Sequence, residues 1–467
     1  MGWRRRRFLP AAELTPYSLR ASISYEEAAR FSLPPAALVG LVAPWVYGRG
    51  PDAFTGDWDR VEVGYLGAIA LLFALYGAWQ TRGTWQTRGA RLTRFWVGFG
   101  LLALLMALGQ STPLHRLVYE LPLMNSLRAP ARFVLLFDFA AAGLAAVGLR
   151  VAAPRLGSAA QRLPARLGFL ADRQVVGLVA VALLAAELVA TGAGVETDAG
   201  SPYAGYDHPA VVAWLRAQPG RFRIEGAAPD WQPDAAAFHG LHDIYGVHNP
   251  LALAAYESFY WSVGERGTPP YNYLGARYVI RPKDDPPAGD PYAAAFTPAF
   301  DNDPTLTVYE NAGALPLAHV IPRAEVVARP EAAWDAIHAP DWDPAALAYV
   351  EGGPPLNYPL PEDAHFSVEN VVYEANRLEY TIDVAGPAYL VLSEVYYPGW
   401  RATVDGAPAV VYRANTAFRA VYVGEPGTHT VALVFAPASF TLGAALSLLT
   451  LAALAAGVTV GVWWRRR

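Results

Sequence analysis

Carboxylates and arginines set in or beside long apolar runs are the residues best suited to chemistry in this sequence. Arg128 and Arg132 flank Pro130. Two guanidinium groups at a membrane surface can hold a lipid phosphate, because arginine matches phosphate oxygens bidentately. Lipid head groups, Glu120 or an external domain would occupy them equally well. His115 and Arg116 share that loop. Asp138 and Glu187 fall inside apolar segments, where a carboxylate is costly and faces a partner or a wet cavity. Each suits a proton or substrate group, and each suits a helix-packing device.

Asp52, Asp57, Asp59 and Glu62 form an acidic cluster just ahead of an apolar run, and an external loop explains them without any chemistry. His239, His242 and His248 have metal-like spacing, but no predicted helix joins His239 to His242, so no metal site is assigned. No cofactor is identified; a divalent metal ion is the one class the carboxylates would suit. Tyr245, Tyr256, Phe259, Tyr260 and Trp261 fit a core as well as a sugar platform. Trp400 with Asp405 suits sugar stacking, although a tryptophan after a Pro-Gly turn is more often a core plug. There is no glycine-rich phosphate loop, Ser-His-Asp order or nucleotide fingerprint, and no catalytic residue is assigned.

The elements that must position these groups are largely membrane helices. Of 467 residues, 54 % are hydrophobic, and they gather in runs that approach the roughly 20 residues needed to cross a bilayer. About five spans are predicted, at 64–80, 95–110, 132–149, 174–193 and 440–464. Residues 34–47 are also apolar but carry Pro34, Pro35 and Pro44. Proline breaks a helix interior, so this stretch reads as interfacial or re-entrant, within an extracytoplasmic segment 1–63. Zero cysteines exclude disulfides and thiolate chemistry. The net charge of -5 argues against a nucleic-acid partner.

Arginine clusters orient the spans. Arg82, Arg88, Arg91 and Arg94 follow the first; Arg150, Arg155, Arg162, Arg166 and Arg173 follow the third; Arg465, Arg466 and Arg467 follow the last. All three clusters fall on one side, which the positive-inside rule makes cytoplasmic. The large region between the fourth and fifth spans is then external. This places the chain in a plasma membrane as a multi-pass protein with a cytoplasmic C-terminus. An odd span number also puts the basic block Arg4–Arg7 outside; either residues 34–47 cross after all or, as we favour, the chain begins partway through a longer protein.

The external region divides into an α+β domain at 195–364 and a small antiparallel β-sandwich at 365–437. In the first, 209–218 has helical spacing whereas 277–281 and 306–310 alternate as strands do. In the second, short alternating runs recur between turn signals. Asp405-Gly406 is its best hairpin turn.

Three stretches resemble the bacterial YfhO family of multispanning membrane proteins. They are Leu392-Ser-Glu-Val-Tyr-Tyr-Pro-Gly-Trp-Arg-Ala-Thr-Val-Asp-Gly406 with Asn415 and Gly427-Thr-His429; Leu127-Arg-Ala-Pro-Ala-Arg-Phe133; and Ser22-Ile-Ser-Tyr-Glu-Glu-Ala28 followed by Ser32-Leu-Pro-Pro35. Gly443 and Ser447 match the opening of that family's last span. The resemblance implies a relative of GT-C glycosyltransferases, which use polyprenyl-phosphate-linked sugars to modify envelope polymers on the outer membrane face. Carboxylates in external loops serve catalysis or metal binding in that class, which brings Asp57 and Asp59 into consideration. Family members carry many more spans ahead of the Ser22 motif, with the acidic base in a first external loop that has no counterpart here. The resemblance therefore implies the C-terminal half of the pattern, lacking the catalytic half, with an upstream membrane subunit as partner. Two further readings stand beside it: a non-catalytic module binding envelope polysaccharide, and a transporter subunit using Asp138.

Overall fold

The computed structural model describes residues 9–21, 23–48, 54–56, 64–80, 88–121, 124–161, 172–193, 201, 203–246, 252–287 and 293–466. The chain forms two compact units, Ser22–Ala199, and Met1–Ala21 with Gly200–Arg467.

Leucine, alanine and valine dominate four described helices that are long and apolar enough to cross a bilayer. These are Ala90–Ala107, Pro130–Ala159 and Gln174–Gly192 in the first unit, and Ala438–Trp464 in the second. Many of their apolar side chains stay uncovered by protein, Leu135 being 73 % exposed, as lipid-facing residues are. The remaining predicted span is a shorter helix, Ala68–Gln80, of 13 residues. At about 1.5 Å per residue it covers about 20 Å, short of a hydrocarbon core of about 30 Å. The predicted stop at Arg150 also moves, because the Val134–Ala160 helix runs on through Pro154. Ala152 and Ala153 are buried there, and their packing offsets the bond that proline cannot donate. In the proline-rich stretch, Pro35–Leu41 is a short 3-10 helix.

Two of these helices meet at glycines. A Cβ on Gly77 would stand 2.7 Å from Gly148 N, and one on Gly148 would stand 1.8 Å from Phe73 O. Small residues that let backbones approach this closely are what hold helices together in lipid, where hydrophobicity cannot.

The second unit contains three sheets. Strands β1 (Arg223–Gly226), β2 (Ala276–Pro282), β3 (Phe296–Phe300) and β4 (Leu306–Asn311) pair in the order β1-β2-β4-β3, with β1 parallel to β2. Helix Pro209–Arg216 buries Val211, Val212 and Leu215 in a cluster with Ile224, Tyr278 and Val308. The apolar spacing read at 209–218 becomes this helix.

Strands β5 (Ala318–Ile321), β6 (Ala324–Val327), β7 (Ala348–Glu351), β10 (Ala388–Val395), β13 (Val411–Ala414) and β14 (Phe418–Val423) form a six-stranded sheet in the order β5-β10-β14-β13-β7-β6. It is mixed, since β6 and β7 run parallel, and it draws strands from both sides of residue 364. Strands β8 (Phe366–Glu374), β9 (Arg377–Val384), β11 (Trp400–Val404), β12 (Ala407–Ala409) and β15 (Gly427–Phe435) form a five-stranded antiparallel sheet.

One buried cluster takes Leu390, Leu392 and Val421 from the first of these sheets and Leu378, Ile382 and Leu433 from the second. The six-stranded sheet buries its other face too, where Val391 and Phe418 join Phe259, Tyr273 and Trp342. Burial on both faces explains why residues 388–393 are apolar apart from Ser393 and are all buried. The Asp405-Gly406 hairpin joins β11 to β12. Its two residues have φ of 50° and 80°, the positive values that a tight two-residue hairpin requires.

Candidate functional site

In an extended strand alternate side chains share a face, so Arg223 and Glu225 of β1 sit together, opposite the buried Ile224. Each meets a partner from another element. Arg223 donates from Nη1 to Leu274 O at 2.9 Å and Ser393 Oγ at 3.0 Å, and from Nη2 to Glu394 Oε1 at 2.7 Å. Glu394, near the end of β10, also accepts from Tyr373 Oη at 2.5 Å. Its second carboxylate oxygen accepts from Arg419 Nη2 at 3.4 Å.

Arg419 is only 3 % exposed and packs its guanidinium carbon 3.9 Å from the centre of the Trp400 ring. Burial pushes its pKa down to about 10, against the pull of Glu394. It therefore stays charged at neutral pH. Burial and then the Glu394 charge push the Tyr373 phenol up to about 12, so it donates throughout the physiological range.

Glu225 receives Arg266 in a fork, Nε at 2.7 Å and Nη2 at 2.5 Å, and Tyr271 Oη at 2.5 Å. Such bidentate charge-assisted bonds fix geometry as well as charge.

Beside these networks lies a cavity of about 460 Å³, lined by Arg223, His242, Asp243, Tyr245, Tyr373 and Glu394 among others. Asp243 accepts from Gly226 N at 3.2 Å and Tyr245 N at 3.1 Å. Burial nevertheless pushes its carboxyl up to about 7. His242 meets Tyr373 edge-on, with ring centres 5.5 Å apart, and burial lowers its pKa. The site thus offers a carboxyl near its titration point, an imidazole and tyrosine rings around a charge-paired wall.

The residues singled out from sequence lie in several places. Arg128 is half-buried, 3.7 Å from Glu27 and with its guanidinium carbon 5.6 Å from the centre of the Phe31 ring. Arg132 is exposed on the turn that opens the long helix. Arg116 pairs with Glu120 at 3.3 Å, while His115 is buried against Tyr25.

Asp138 sits against Gly64, where a Cβ would stand 2.2 Å from its Oδ2, and its Oδ1 is buried without a hydrogen-bond partner among the described residues. Glu187 accepts from Tyr65 Oη at 2.5 Å, Ala68 N at 2.7 Å and Ile69 N at 3.3 Å. It caps the first turn of the Ala68–Gln80 helix from a neighbouring one. Asp52, Asp57, Asp59 and Glu62 lie outside the described residues, as does His248.

His239 bonds Tyr206 O at 2.7 Å, and of the two described histidines of the trio His242 lines the cavity. Among the described residues no group of three metal-ligating side chains converges. Trp400 packs on Phe435 and Arg419, whereas Asp405 braces its hairpin against Thr430 N at 2.8 Å and His429 Nδ1 at 2.6 Å.

Sequence reasoning missed Arg223, Glu225, Arg266, Tyr373 and Arg419 as site residues. The one local signal was Arg419, a charge within the apolar strand β14. Glu394 stood within the quoted motif without an assigned role.

Ser447, one of the two residues matched to the opening of the last span, donates its hydroxyl to Gly443 O at 2.8 Å within the C-terminal helix. No curated protein matches this chain, and no solved structure does. The family described as bacterial membrane protein YfhO matches residues 362–447, from just ahead of β8 into the last helix, so this C-terminal region is similar to that family of membrane proteins.

Proposed function

We propose that this chain is a multi-pass protein of the bacterial cell envelope whose folded unit lies outside the cytoplasm and binds envelope glycan. The observation that carries the reading is the cavity of about 460 Å³ beside Arg223 and Glu394. Binding sites for small organic groups are concave, with aromatic walls and a few polar groups that fix orientation. Here Tyr245 and Tyr373 offer ring faces to sugar C–H groups, while His242 and Asp243 offer hydrogen-bond partners to hydroxyls.

The orientation follows from the arginine clusters, and it does not depend on Ala68–Gln80. The four long helices alone put all three clusters on one side. In this reading Ala68–Gln80 is a fifth span that residues 64–67, non-helical in the structure, help to complete. Non-helical backbone inside a bilayer must have its polar groups satisfied by protein, and the Glu187 carboxylate does this for Ala68 and Ile69. The six- and five-stranded sheets are the two layers of a β-sandwich.

A second reading is sugar transfer from a polyprenyl-phosphate carrier, as in GT-C glycosyltransferases. It is favoured by Arg132, exposed at the start of an apolar stretch of 30 residues, with Arg128 nearby in sequence. These two arginines would hold the carrier phosphate, and another membrane subunit would complete the active site.

One experiment separates the readings. The purified chain is titrated with envelope polysaccharide, and membranes containing it receive labelled polyprenyl-phosphate sugar. Binding that His242→Ala and Asp243→Asn weaken, without transfer, supports the glycan-binding reading. Transfer that Arg132→Gln abolishes supports the second. Neither binding nor transfer overturns both.

A further inference from the structure

A second cavity, of about 420 Å³, shares no lining residue with the first. Helix Pro330–Ile337 contributes Glu331, Trp334 and Asp335 to its lining. Positions i, i+3 and i+4 lie on one helical face, so the tryptophan ring and both carboxylates are presented together. Arg413 of β13 and Thr416, in the turn between β13 and β14, line it as well. Arg413 is anchored from behind, 3.7 Å from Glu351 and with its guanidinium carbon 4.9 Å from the centre of the Tyr396 ring.

Thr416 is the telling residue. It is only 7 % exposed, and its Oγ1 has no hydrogen-bond partner among the described residues although the residue lines the cavity. A buried hydroxyl left unpaired is unfavourable, and a ligand group entering the cavity would satisfy it. The neighbouring turn residue Asn415 is held on both sides of Tyr349, accepting from Tyr349 N at 3.0 Å and donating its own N–H to Tyr349 O at 2.8 Å. The hydroxyl is therefore set in a braced turn.

The donor and acceptor set defines the ligand. Glu331 and Asp335 accept, Arg413 donates, Thr416 does both, and the Trp334 ring supplies an apolar face. Two carboxylates against one guanidinium disfavour an anion. Paired hydroxyls beside a face of C–H bonds fit all of these groups together, and that is an uncharged pyranose ring.

We infer that this cleft is a saccharide-binding site separate from the Arg223–Glu394 cavity, with Trp334 as its platform and Asp335, Arg413 and Thr416 as its polar contacts. The inference stands on this cleft alone and does not rest on glycan binding at the first cavity.

The test is saturation-transfer NMR on the full chain in detergent, with glucose and N-acetylglucosamine as probes and glucuronate as the anionic control. The expected result is transfer to at least one neutral sugar and weaker transfer to glucuronate. Dissociation constants should rise about tenfold in Trp334→Ala and in Asp335→Asn, the change expected for losing one good polar or stacking contact. Asp335 is exposed, so its variant should fold normally by circular dichroism. Thr416→Val should weaken binding while Thr416→Ser, which keeps the hydroxyl, should not. Absence of transfer to both neutral sugars at roughly 50 mM, a concentration that would populate even a very weak site, overturns the inference. Binding indifferent to both Trp334→Ala and Asp335→Asn overturns it equally.

Discussion

Glu394 accepts the Arg223 guanidinium at 2.7 Å across 171 positions of sequence. The bond ties β1 of the four-stranded sheet to β10 of the six-stranded one, and the same carboxylate reaches Tyr373 and Arg419. One partly buried acid therefore serves two arginines and a phenol, and the wall of the larger cavity is built from this arrangement. A buried ion pair is weak evidence of net stabilisation, because desolvation opposes the attraction. What it does provide is a single permitted register between the two sheets, since among the described residues neither guanidinium pairs with another carboxylate.

Removing Glu394 should be far more damaging than removing a surface partner. Glu394→Ala leaves the buried Arg419 and the partly buried Arg223 without a counter-ion, a loss of up to about 3–5 kcal/mol. Arg221→Ala, at an exposed residue whose guanidinium packs on Tyr373, should cost within about 1 kcal/mol. Thermal unfolding of the purified chain compares them. A Glu394→Ala variant that melts with the wild type would show that the network does not hold the sheets together.

The parts of the fold written in local composition were legible before the structure, and the parts written in long-range pairing were not. Four apolar helices announced themselves by length, and Asp405-Gly406 announced its hairpin by two residues whose backbone demands are unusual. Helix ends were less readable. Nothing near Ala68 signals that its amides are capped by Glu187, and nothing near Pro154 signals that burial carries the helix past it. The site was the least legible. Arg223 and Glu394 lie in strands that read as ordinary alternating sequence, so only the sheet topology brings them together. His242 was noticed for its spacing from His239 and not for the cavity it lines, and Glu331, Trp334 and Asp335 drew no notice because Arg413 and Thr416, which share their cavity, lie far along the chain.

Asp243 should make stability depend on pH. Burial raises its carboxyl to about 7 from an ordinary 3.8. Between those values the folded chain holds a proton that the unfolded chain releases. Its contribution is therefore present at low pH and declines as pH rises from about 4 to about 7, by up to about 1.4 kcal/mol per pH unit. Above that range the curve levels. Unfolding midpoints followed from pH 4.5 to 8 should fall more steeply in the wild type than in Asp243→Asn, which has no proton to lose. Parallel curves would remove Asp243 as the cause.

Glu187 should matter as a cap, whatever else it does. It accepts from Tyr65 Oη, Ala68 N and Ile69 N, so Glu187→Leu leaves two helix-end amides and a phenol unsatisfied in an apolar setting. The expected loss is about 1–3 kcal/mol, with Tyr65→Phe milder because the amides stay bonded. Melting in lipid nanodiscs measures both. Equal stability of Glu187→Leu and wild type would mean that other groups can cap the Ala68–Gln80 helix.

Gly148 should tolerate no side chain. A Cβ there would stand 1.8 Å from Phe73 O, which is backbone and cannot rotate away, so Gly148→Ala must push the Ala68–Gln80 helix outward. Overpacking of this kind costs about 1–3 kcal/mol. Gly98→Ala, whose Cβ would meet nothing within 4 Å, is the matched control and should be near neutral or slightly stabilising. Melting temperatures in nanodiscs that fall for Gly148→Ala alone would place the tight crossing at that pair; equal changes would not.

The absence of cysteine makes orientation directly measurable, because any introduced thiol is the only one. Glu362, exposed just before β8, and Arg465, at the end of the last helix, lie at opposite ends of the region that the arginine clusters place across the membrane. In intact cells a membrane-impermeant maleimide should label Glu362→Cys and spare Arg465→Cys, with the second labelled only after permeabilisation. The reverse pattern would put the sheets in the cytoplasm, where no envelope glycan could reach either cavity. Labelling of both in intact cells would mean that the Ala438–Trp464 helix does not cross, and that its exposed leucines meet lipid some other way.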